Sequence, residues 1–145
     1  MKKSKRLQPV QQLAEQRRKA AEQQLGKAQQ QLLAEQQKLV QLQDYLDDYQ
    51  KELLRTGQAG VSMEQLQRLQ SFKQRLLDAL AQQQQQIVFS QQFVEQAKQG
   101  WQVARGREQA MSSLISRTQN QEQQQEDKQL QKQIDELTQS RLNRR

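Results

Sequence analysis

The feature that most constrains this chain is a repeat of apolar residues at spacings of three and four, which flanks a short glycine-containing stretch at residues 56–62. Before that stretch, two interleaved series recur every seven residues from about Leu25. After it, the same double series resumes at Leu66 and continues to about Ala104. A sustained seven-residue period is the seam of a coiled coil. Two such helices joined by a short loop are predicted to fold back on each other.

Composition favours a structure with one buried stripe per helix over a conventional globular core. Only 33% of the 145 residues are hydrophobic, 4% are aromatic, and there is a single proline. So polar a chain is also typical of disorder, but the seven-residue pattern over roughly residues 25–117 favours a coiled coil there. The predicted fold class is all-α, a long two-helix antiparallel coiled-coil hairpin with a C-terminal helical overhang.

The sequence divides into three predicted segments. Residues 1–8 are predicted to be a flexible basic N-terminal tail, because Pro9 suits the first turn of a helix, where its missing N–H costs nothing. Residues 9–117 form the hairpin. Residues 118–145 extend the second helix and are partly unpaired. This extension carries a short apolar stripe at Leu130, Ile134 and Leu137. Two alternatives are open for it: the stripe is disordered, or a groove on another protein binds it as a helix.

Two local signals place the turn within residues 56–62. Gly57 is predicted to be the first residue beyond helix 1, where a left-handed conformation is favoured. Ser62 is predicted to be the N-cap of helix 2, and Gln65 completes a capping box with it. If the two helices pair symmetrically about residue 59, the residue numbers of any two facing positions add up to about 119. That register places Arg18 opposite Trp101, where a cation–π contact is possible.

The residue types exclude several chemistries. The chain has no cysteine and no histidine, so it lacks thiolate ligands, disulfides, and the commonest general base and metal ligand. No phosphate-binding glycine loop, nucleophile elbow or zinc-ligand spacing occurs. The acidic cluster at Asp44, Asp47, Asp48 and Glu52 lacks the glycine-containing loop of a calcium site. We therefore predict a protein that is not an enzyme and holds no cofactor, metal or small molecule.

Charge and hydropathy bear on location and partners. No apolar run approaches the ~20 residues of a membrane span, and none follows the basic N-terminus as in a secretory signal, so a cytoplasmic protein is predicted. The net charge is +7, with basic residues concentrated at the front. Such a surface is typical of a solvated helix face, and it also suits nucleic acid, an anionic membrane or an acidic protein.

Aromatic and apolar residues gather near the turn on both helices. In the predicted register the two stripes adjoin. Spacing alone supports two interpretations, a protein-binding surface anchored by partly exposed aromatic residues and an ordinary core. The residues concerned are Leu42, Tyr45 and Tyr49 on helix 1, and Phe72, Leu76, Ala79 and Gln83 on helix 2.

The same residues carry a resemblance to a known family. The segment at residues 42–49 (LQDYLDDY), the turn at residues 59–62 (AGVS) and the segment at residues 72–79 (FKQRLLDA) keep the spacing of a tyrosine pair, a glycine turn and an F-x-x-x-L-x-x-A motif. In these features the chain resembles the FliJ family of flagellar type III export proteins. The resemblance covers roughly residues 10–115 and is weaker in the C-terminal overhang.

The resemblance implies a non-enzymatic stalk or adaptor, similar to the coiled-coil stalk of a rotary ATPase. It implies that the terminal end of the hairpin binds a hexameric export ATPase and promotes ring assembly. It also implies peripheral association with the inner face of the cell membrane, through a membrane export gate, and export chaperones as further partners. The family often has histidine at the position of Gln83. The implied gate-binding residues are Leu42, Tyr45, Tyr49, Phe72, Leu76, Ala79 and Gln83.

The basic front of the chain adds a hypothesis of its own. Cationic side chains there are suited to acidic loops of an ATPase pore. The candidate ATPase-binding residues are Lys3, Arg6, Arg17 and Arg18.

Three alternatives remain at this point. A stalk protein of a virulence-type injectisome has the same shape. A basic coiled coil that binds nucleic acid is disfavoured because neither helix has a continuous basic stripe and few aromatics are available for stacking, so no nucleic-acid partner is predicted. A parallel homodimer of long helices is opposed by the glycines and the capping box at residues 57–65.

Overall fold

The computed structural model describes residues 1–144, and within them it contains two helices and no strand. Helix α1 spans Lys3–Ala59 and helix α2 spans Met63–Asn143. Contacts join the start of α1 to late residues of α2 and the end of α1 to early residues of α2, so the two helices are antiparallel. The predicted all-α hairpin is confirmed. Neither helix contains a stretch within these residues that is long and apolar enough to cross a membrane.

The chain forms two compact units, and each is built from parts of both helices. The terminal unit comprises Met1–Ala21 and Trp101–Arg145, and the turn unit comprises Glu22–Gly100. Across residues 1–144, the most deeply buried apolar side chains are Leu76 in the turn unit and Ile115 in the terminal unit. Because two helices cover only one stripe of each other, many apolar side chains beside the seam stay exposed.

Helix α1 begins at Lys3 rather than at Pro9, so the segment predicted to be a flexible tail is helical from its third residue. A carboxylate from α2 stabilises this start. The Ser4 backbone N–H donates to Glu122 Oε1 at 3.0 Å, and the Ser4 hydroxyl donates to Glu122 Oε2 at 2.7 Å. A carboxylate here accepts an N–H that the first turn cannot pair internally. Pro9 consequently lies inside the helix, where the Lys5 carbonyl lacks its usual N–H partner.

The turn differs from the prediction at one glycine. Helix α1 continues through Gly57 to Ala59, and the left-handed residue beyond it is Gly60, with φ of 85°. Its N–H donates to the Gly57 carbonyl at 3.3 Å. Either glycine suits the position after a helix. Because Gly60 takes this position instead of Gly57, α1 extends as far as Ala59. Gly57 is therefore not the residue that ends the helix.

The start of α2 agrees with the predicted capping box. The Gln65 N–H donates to Ser62 Oγ at 3.2 Å, and the Ser62 N–H donates to Gln65 Oε1 at 3.4 Å. These two reciprocal bonds satisfy donors that the first turn of α2 would otherwise leave unpaired. The capping box is confirmed.

The predicted pairing register holds in the turn unit but is displaced in the terminal unit. The Tyr49 hydroxyl bonds to the Leu69 carbonyl, within one residue of the predicted facing position. In the terminal unit, Arg18 bonds to Glu108, seven positions later in α2 than the predicted Trp101, and Gln11 donates to Ser112, four positions later than its predicted partner. The guanidinium over the Trp101 ring belongs to Arg105, at 5.3 Å from the ring centroid.

Contacts between the helices also extend beyond residue 117, where the predicted hairpin ends. Lys2 forms an ion pair with Glu126. Helix α2 then continues as a single element to Asn143. The three apolar residues of its last stretch are largely exposed, namely Leu130, Ile134 and Leu137.

Candidate protein-binding surfaces

Three aromatic side chains near the turn form a cluster, here called the aromatic patch, composed of Tyr45, Tyr49 and Phe72. The Tyr49 and Phe72 ring centroids are 4.9 Å apart, with the ring planes at 60°. Tyr45 and Phe72 are 6.3 Å apart at 76°. Both pairs are edge-to-face, the arrangement that the charge distribution of aromatic rings favours. Phe72 of α2 therefore packs between two tyrosines of α1.

Tyr49 fixes the patch to the helix pair. Its hydroxyl donates to the Leu69 backbone carbonyl at 2.8 Å, and its side chain is half-buried. Burial raises the pKa of Tyr49 above its ordinary value, and the charge of Tyr45, when ionised, raises it further. Tyr49 is thus held at both its ring and its hydroxyl, which restricts the rotation of its side chain.

Exposure separates the predicted gate-binding residues into surface and core. Tyr45 is 52% exposed and Phe72 is 36% exposed, whereas Leu76 is only 8% exposed. Leu42 and Ala79 are half-buried. Burial therefore assigns Leu76 to the core, whereas Tyr45 and Phe72 present apolar surface to solvent.

Gln83 belongs to a polar contact inside the seam. Its side-chain amide donates to the Glu35 backbone carbonyl at 2.8 Å and to Glu35 Oε2 at 2.6 Å. Glu35 is only 4% exposed, and its other carboxylate oxygen accepts a bond from Gln31 and lies 3.7 Å from the Lys38 ammonium. Sequence reasoning did not identify Glu35 as a partner. The available signal was that Glu35 and Gln83 both interrupt the apolar series at facing positions.

The predicted ATPase-binding residues also differ in their surroundings. Lys3, Arg6 and Arg17 are exposed. Arg18 is only partly exposed, and its Nε donates to Glu108 Oε2 at 2.6 Å. Charge on the first three is therefore presented to solvent, whereas the charge of Arg18 is compensated by a carboxylate of α2.

Positive charge is concentrated in the terminal unit. That unit contains 15 lysines and arginines and seven aspartates and glutamates. The turn unit contains eight basic and nine acidic residues, and is nearly neutral. The whole basic excess of the chain therefore belongs to the terminal unit.

Glu122 is a further charged group that the sequence did not reveal. Hydrogen bonds from the Ser4 backbone N–H and then the Ser4 hydroxyl lower the pKa of its carboxyl group. Burial opposes this shift, and the charge of Lys2 adds to it. Glu122 therefore serves as a cap for α1, and it is committed to the fold rather than to a partner.

No group of three or more acidic side chains within the described part of the chain is close enough to hold a metal ion. The acidic residues that precede the turn are exposed on α1, namely Asp44, Asp47, Asp48 and Glu52.

The fold and its surfaces define a two-helix coiled-coil protein whose exposed groups are suited to binding other proteins. The family model described as "Flagellar FliJ protein" matches residues 2–145. The chain therefore belongs to the FliJ family and is a coiled-coil protein related to flagellar export. The resemblance noted in the sequence is confirmed, and the match also includes the C-terminal overhang. Comparisons with curated proteins and with solved structures found no match.

Proposed function

We propose that this protein is a non-enzymatic stalk or adaptor of the flagellar type III export apparatus, and that its two units bind different partners. The observation that carries the proposal is the contrast in surface chemistry between the units: the terminal unit holds the basic excess, and the nearly neutral turn unit exposes the aromatic patch. Export chaperones are further partners in this proposal, and binding to the gate gives peripheral association with the inner face of the cell membrane.

The turn unit binds the membrane export gate through the aromatic patch. Tyr45 and Phe72 are exposed, and Phe72 is held in place by edge-to-face contacts. Side chains that are ordered before binding lose less entropy when a partner covers them. Aromatic residues of this kind carry a large share of the binding free energy in protein interfaces.

The terminal unit binds the hexameric export ATPase and promotes its assembly. Lys3, Arg6 and Arg17 present positive charge that is suited to an acidic surface. Charge complementarity of this kind accelerates association and selects partners more than it increases affinity. A basic stalk contact also orients the chain on the ring without a large apolar interface.

Gate binding is tested with the double variant Tyr45→Ala, Phe72→Ala and the purified cytoplasmic domain of the export gate. We expect affinity to fall by about tenfold or more, while far-UV circular dichroism stays unchanged because both side chains are substantially exposed. The matched control is Leu33→Ala with Val40→Ala, which removes two exposed apolar side chains elsewhere in the turn unit. Unchanged affinity in the aromatic variant would contradict gate binding through the patch.

ATPase binding is tested by the turnover of the purified export ATPase across ATPase concentrations, with and without this protein. Stimulation should be strongest near the threshold of ring assembly. Charge reversal to Glu at Lys3, Arg6 and Arg17 should reduce it, whereas reversal at Lys27, Lys51 and Arg68 of the turn unit should not. Arg18 is left intact because its reversal would break the bond to Glu108. Equal loss in both triple variants would refute a contact specific to the terminal unit.

A further inference from the structure

All three phenylalanines of the chain lie on α2 outside its buried seam. Phe72 is 36% exposed, Phe89 is 55% exposed and Phe93 is 64% exposed. These are among the largest apolar side chains of the protein, yet none of them contributes to the seam. The aromatic patch accounts for Phe72 alone, so the exposure of Phe89 and Phe93 requires a separate explanation.

Phe72 and Phe93 occupy the same flank of the helix pair. Phe72 lies four residues before Leu76, and Phe93 lies three residues after Ser90. Leu76 and Ser90 are both buried and are two heptads apart, so α2 keeps its seven-residue register between them. Positions 72 and 93, three heptads apart, therefore project to the same side of the seam. The ring contact between Phe72 and Tyr45 places that side next to α1.

Phe89 extends this flank, because it precedes Phe93 by four residues and so lies one helical turn away. The helix carries no charged residue over residues 79–94. On α1, one heptad before Tyr45, the ammonium of Lys38 lies 3.7 Å from the buried carboxylate of Glu35, which compensates its charge. From residue 79 to residue 94 the α2 side of the flank is therefore uncharged, with Ala79 and Gln86 between the two aromatic ends.

We infer that the gate-binding surface continues from the aromatic patch along this flank to Phe89 and Phe93, and that one strip of the gate, apolar where it meets the phenylalanines, covers both ends. The inference rests on the proposed function of the aromatic patch. Phe72 and Phe93 are separated by 21 residues of helix, a rise of about 30 Å at ~1.5 Å per residue. A partner strip of that length reaches both ends. Opposite residues 79–94 the strip is uncharged, because α2 has no charged side chain there to pair with a buried charge.

The test compares two double variants in binding to the cytoplasmic domain of the export gate. Phe89→Gln with Phe93→Gln should weaken binding by about tenfold. The matched control is Leu33→Gln with Val40→Gln, at side chains that are 55% and 53% exposed. Leu33 and Val40 each follow a seam residue of α1, whereas Tyr45 precedes one, so the control changes the other side of the seam. The control should retain wild-type affinity. Helix content by circular dichroism should be the same in both variants.

The outcomes separate this inference from the proposed function. If Tyr45→Ala with Phe72→Ala abolishes binding while Phe89→Gln with Phe93→Gln leaves it unchanged, the extended surface is wrong and the gate-binding patch stands. If neither double variant affects binding, the proposed gate contact itself is wrong. Sedimentation equilibrium of the wild-type chain provides a further check. A dimer that only the Phe89 and Phe93 variant dissociates would overturn the inference, because a second copy would then cover the flank.

Discussion

Glu35 is a carboxylate placed in a seam that consists mainly of apolar and small side chains. It is tolerated because Gln83 and Gln31 donate hydrogen bonds to it. A buried polar pair of this kind contributes less to stability than an apolar pair of similar volume, and its best-attested role is to specify register. A shift of one helix past the other would separate Glu35 from Gln83 and leave the carboxylate poorly paired.

A double-mutant cycle on this pair should therefore be strongly non-additive. Gln83→Leu removes a partner of a buried carboxylate and should lower the free energy of unfolding by about 1–3 kcal/mol. Adding Glu35→Leu should restore stability to the wild-type value or above. Urea unfolding measures all four variants. Gln82→Leu, at an exposed neighbouring position, is the control and should change stability by less than about 0.5 kcal/mol. Additive losses would contradict the pairing.

Tyr49 gives the turn unit a dependence on alkaline pH. Because its pKa is raised by burial, the folded state holds the phenolic proton more tightly than the unfolded chain does. The stability that the protonated Tyr49 side chain contributes is fully present below the ordinary pKa of 10.0, and it is lost as pH rises through the folded-state pKa. Tyr49→Phe should cost about 1 kcal/mol at pH 7 through loss of the bond to Leu69. Urea unfolding at neutral and alkaline pH should show this difference shrinking above the ordinary pKa. A constant difference would contradict the raised pKa.

At the residue level, the sequence predicted which side chains lie near the turn, but not the specific contacts that each side chain makes. The spacing of Tyr45, Tyr49 and Phe72 predicted their proximity, since positions on facing helices follow from the heptads. The same heptads put Leu76 on the seam and Phe72 beside it, in agreement with their exposures of 8% and 36%. They did not predict the edge-to-face ring contacts or the bond from the Tyr49 hydroxyl to the Leu69 carbonyl. Those contacts depend on side-chain rotamers, which a seven-residue repeat leaves open.

At the level of the helices, the two turn glycines have opposite roles and should respond oppositely to alanine. Gly60 has φ of 85°, where an added Cβ costs about 1–2 kcal/mol, so Gly60→Ala should destabilise the protein. Gly57 is helical, so Gly57→Ala should stabilise it by up to about 1 kcal/mol. A Cβ meets no heavy atom within 4 Å at either position, which removes crowding as a factor. Thermal or urea unfolding measures both variants, and a reversed order would place the end of α1 at Gly57.

The sequence predicted both helices because glutamine, leucine and alanine favour them and the seam pattern is long. Register in the terminal unit was not predictable in the same way. There the seam of α1 includes small residues such as Ala14 and Ala21, which lie one heptad apart, so a shift of one heptad leaves this part of the pattern almost unchanged. The ion pair of Arg18 with Glu108 and the cap of Ser4 by Glu122 both lie one heptad beyond the predicted partners. Burial of these small side chains therefore stabilises the two registers almost equally, and the polar contacts decide which register forms.

At the level of the whole chain, the division of charge gives one protein two chemically different surfaces. The terminal unit has more than twice as many basic as acidic residues, and the turn unit is close to balance. Lysine and arginine contacts are screened by salt, whereas burial of aromatic surface is not. The two proposed partners can therefore be distinguished by ionic strength alone, without any mutation.

Binding of the export ATPase should weaken steeply as salt rises from about 0.1 M to about 1 M, because the Debye length falls from about 10 Å to about 3 Å. Binding of the gate domain through the aromatic patch should change by less than about twofold over the same range, since apolar burial carries no screened charge. Charge reversal at Lys3, Arg6 and Arg17 should flatten the salt dependence of ATPase binding, and reversal at Lys27, Lys51 and Arg68 should not. The test is to measure the affinities for both partners at matched salt concentrations and to compare their salt dependence. Equal salt dependence for the two partners would contradict the assignment of the basic surface to the ATPase and of the aromatic surface to the gate.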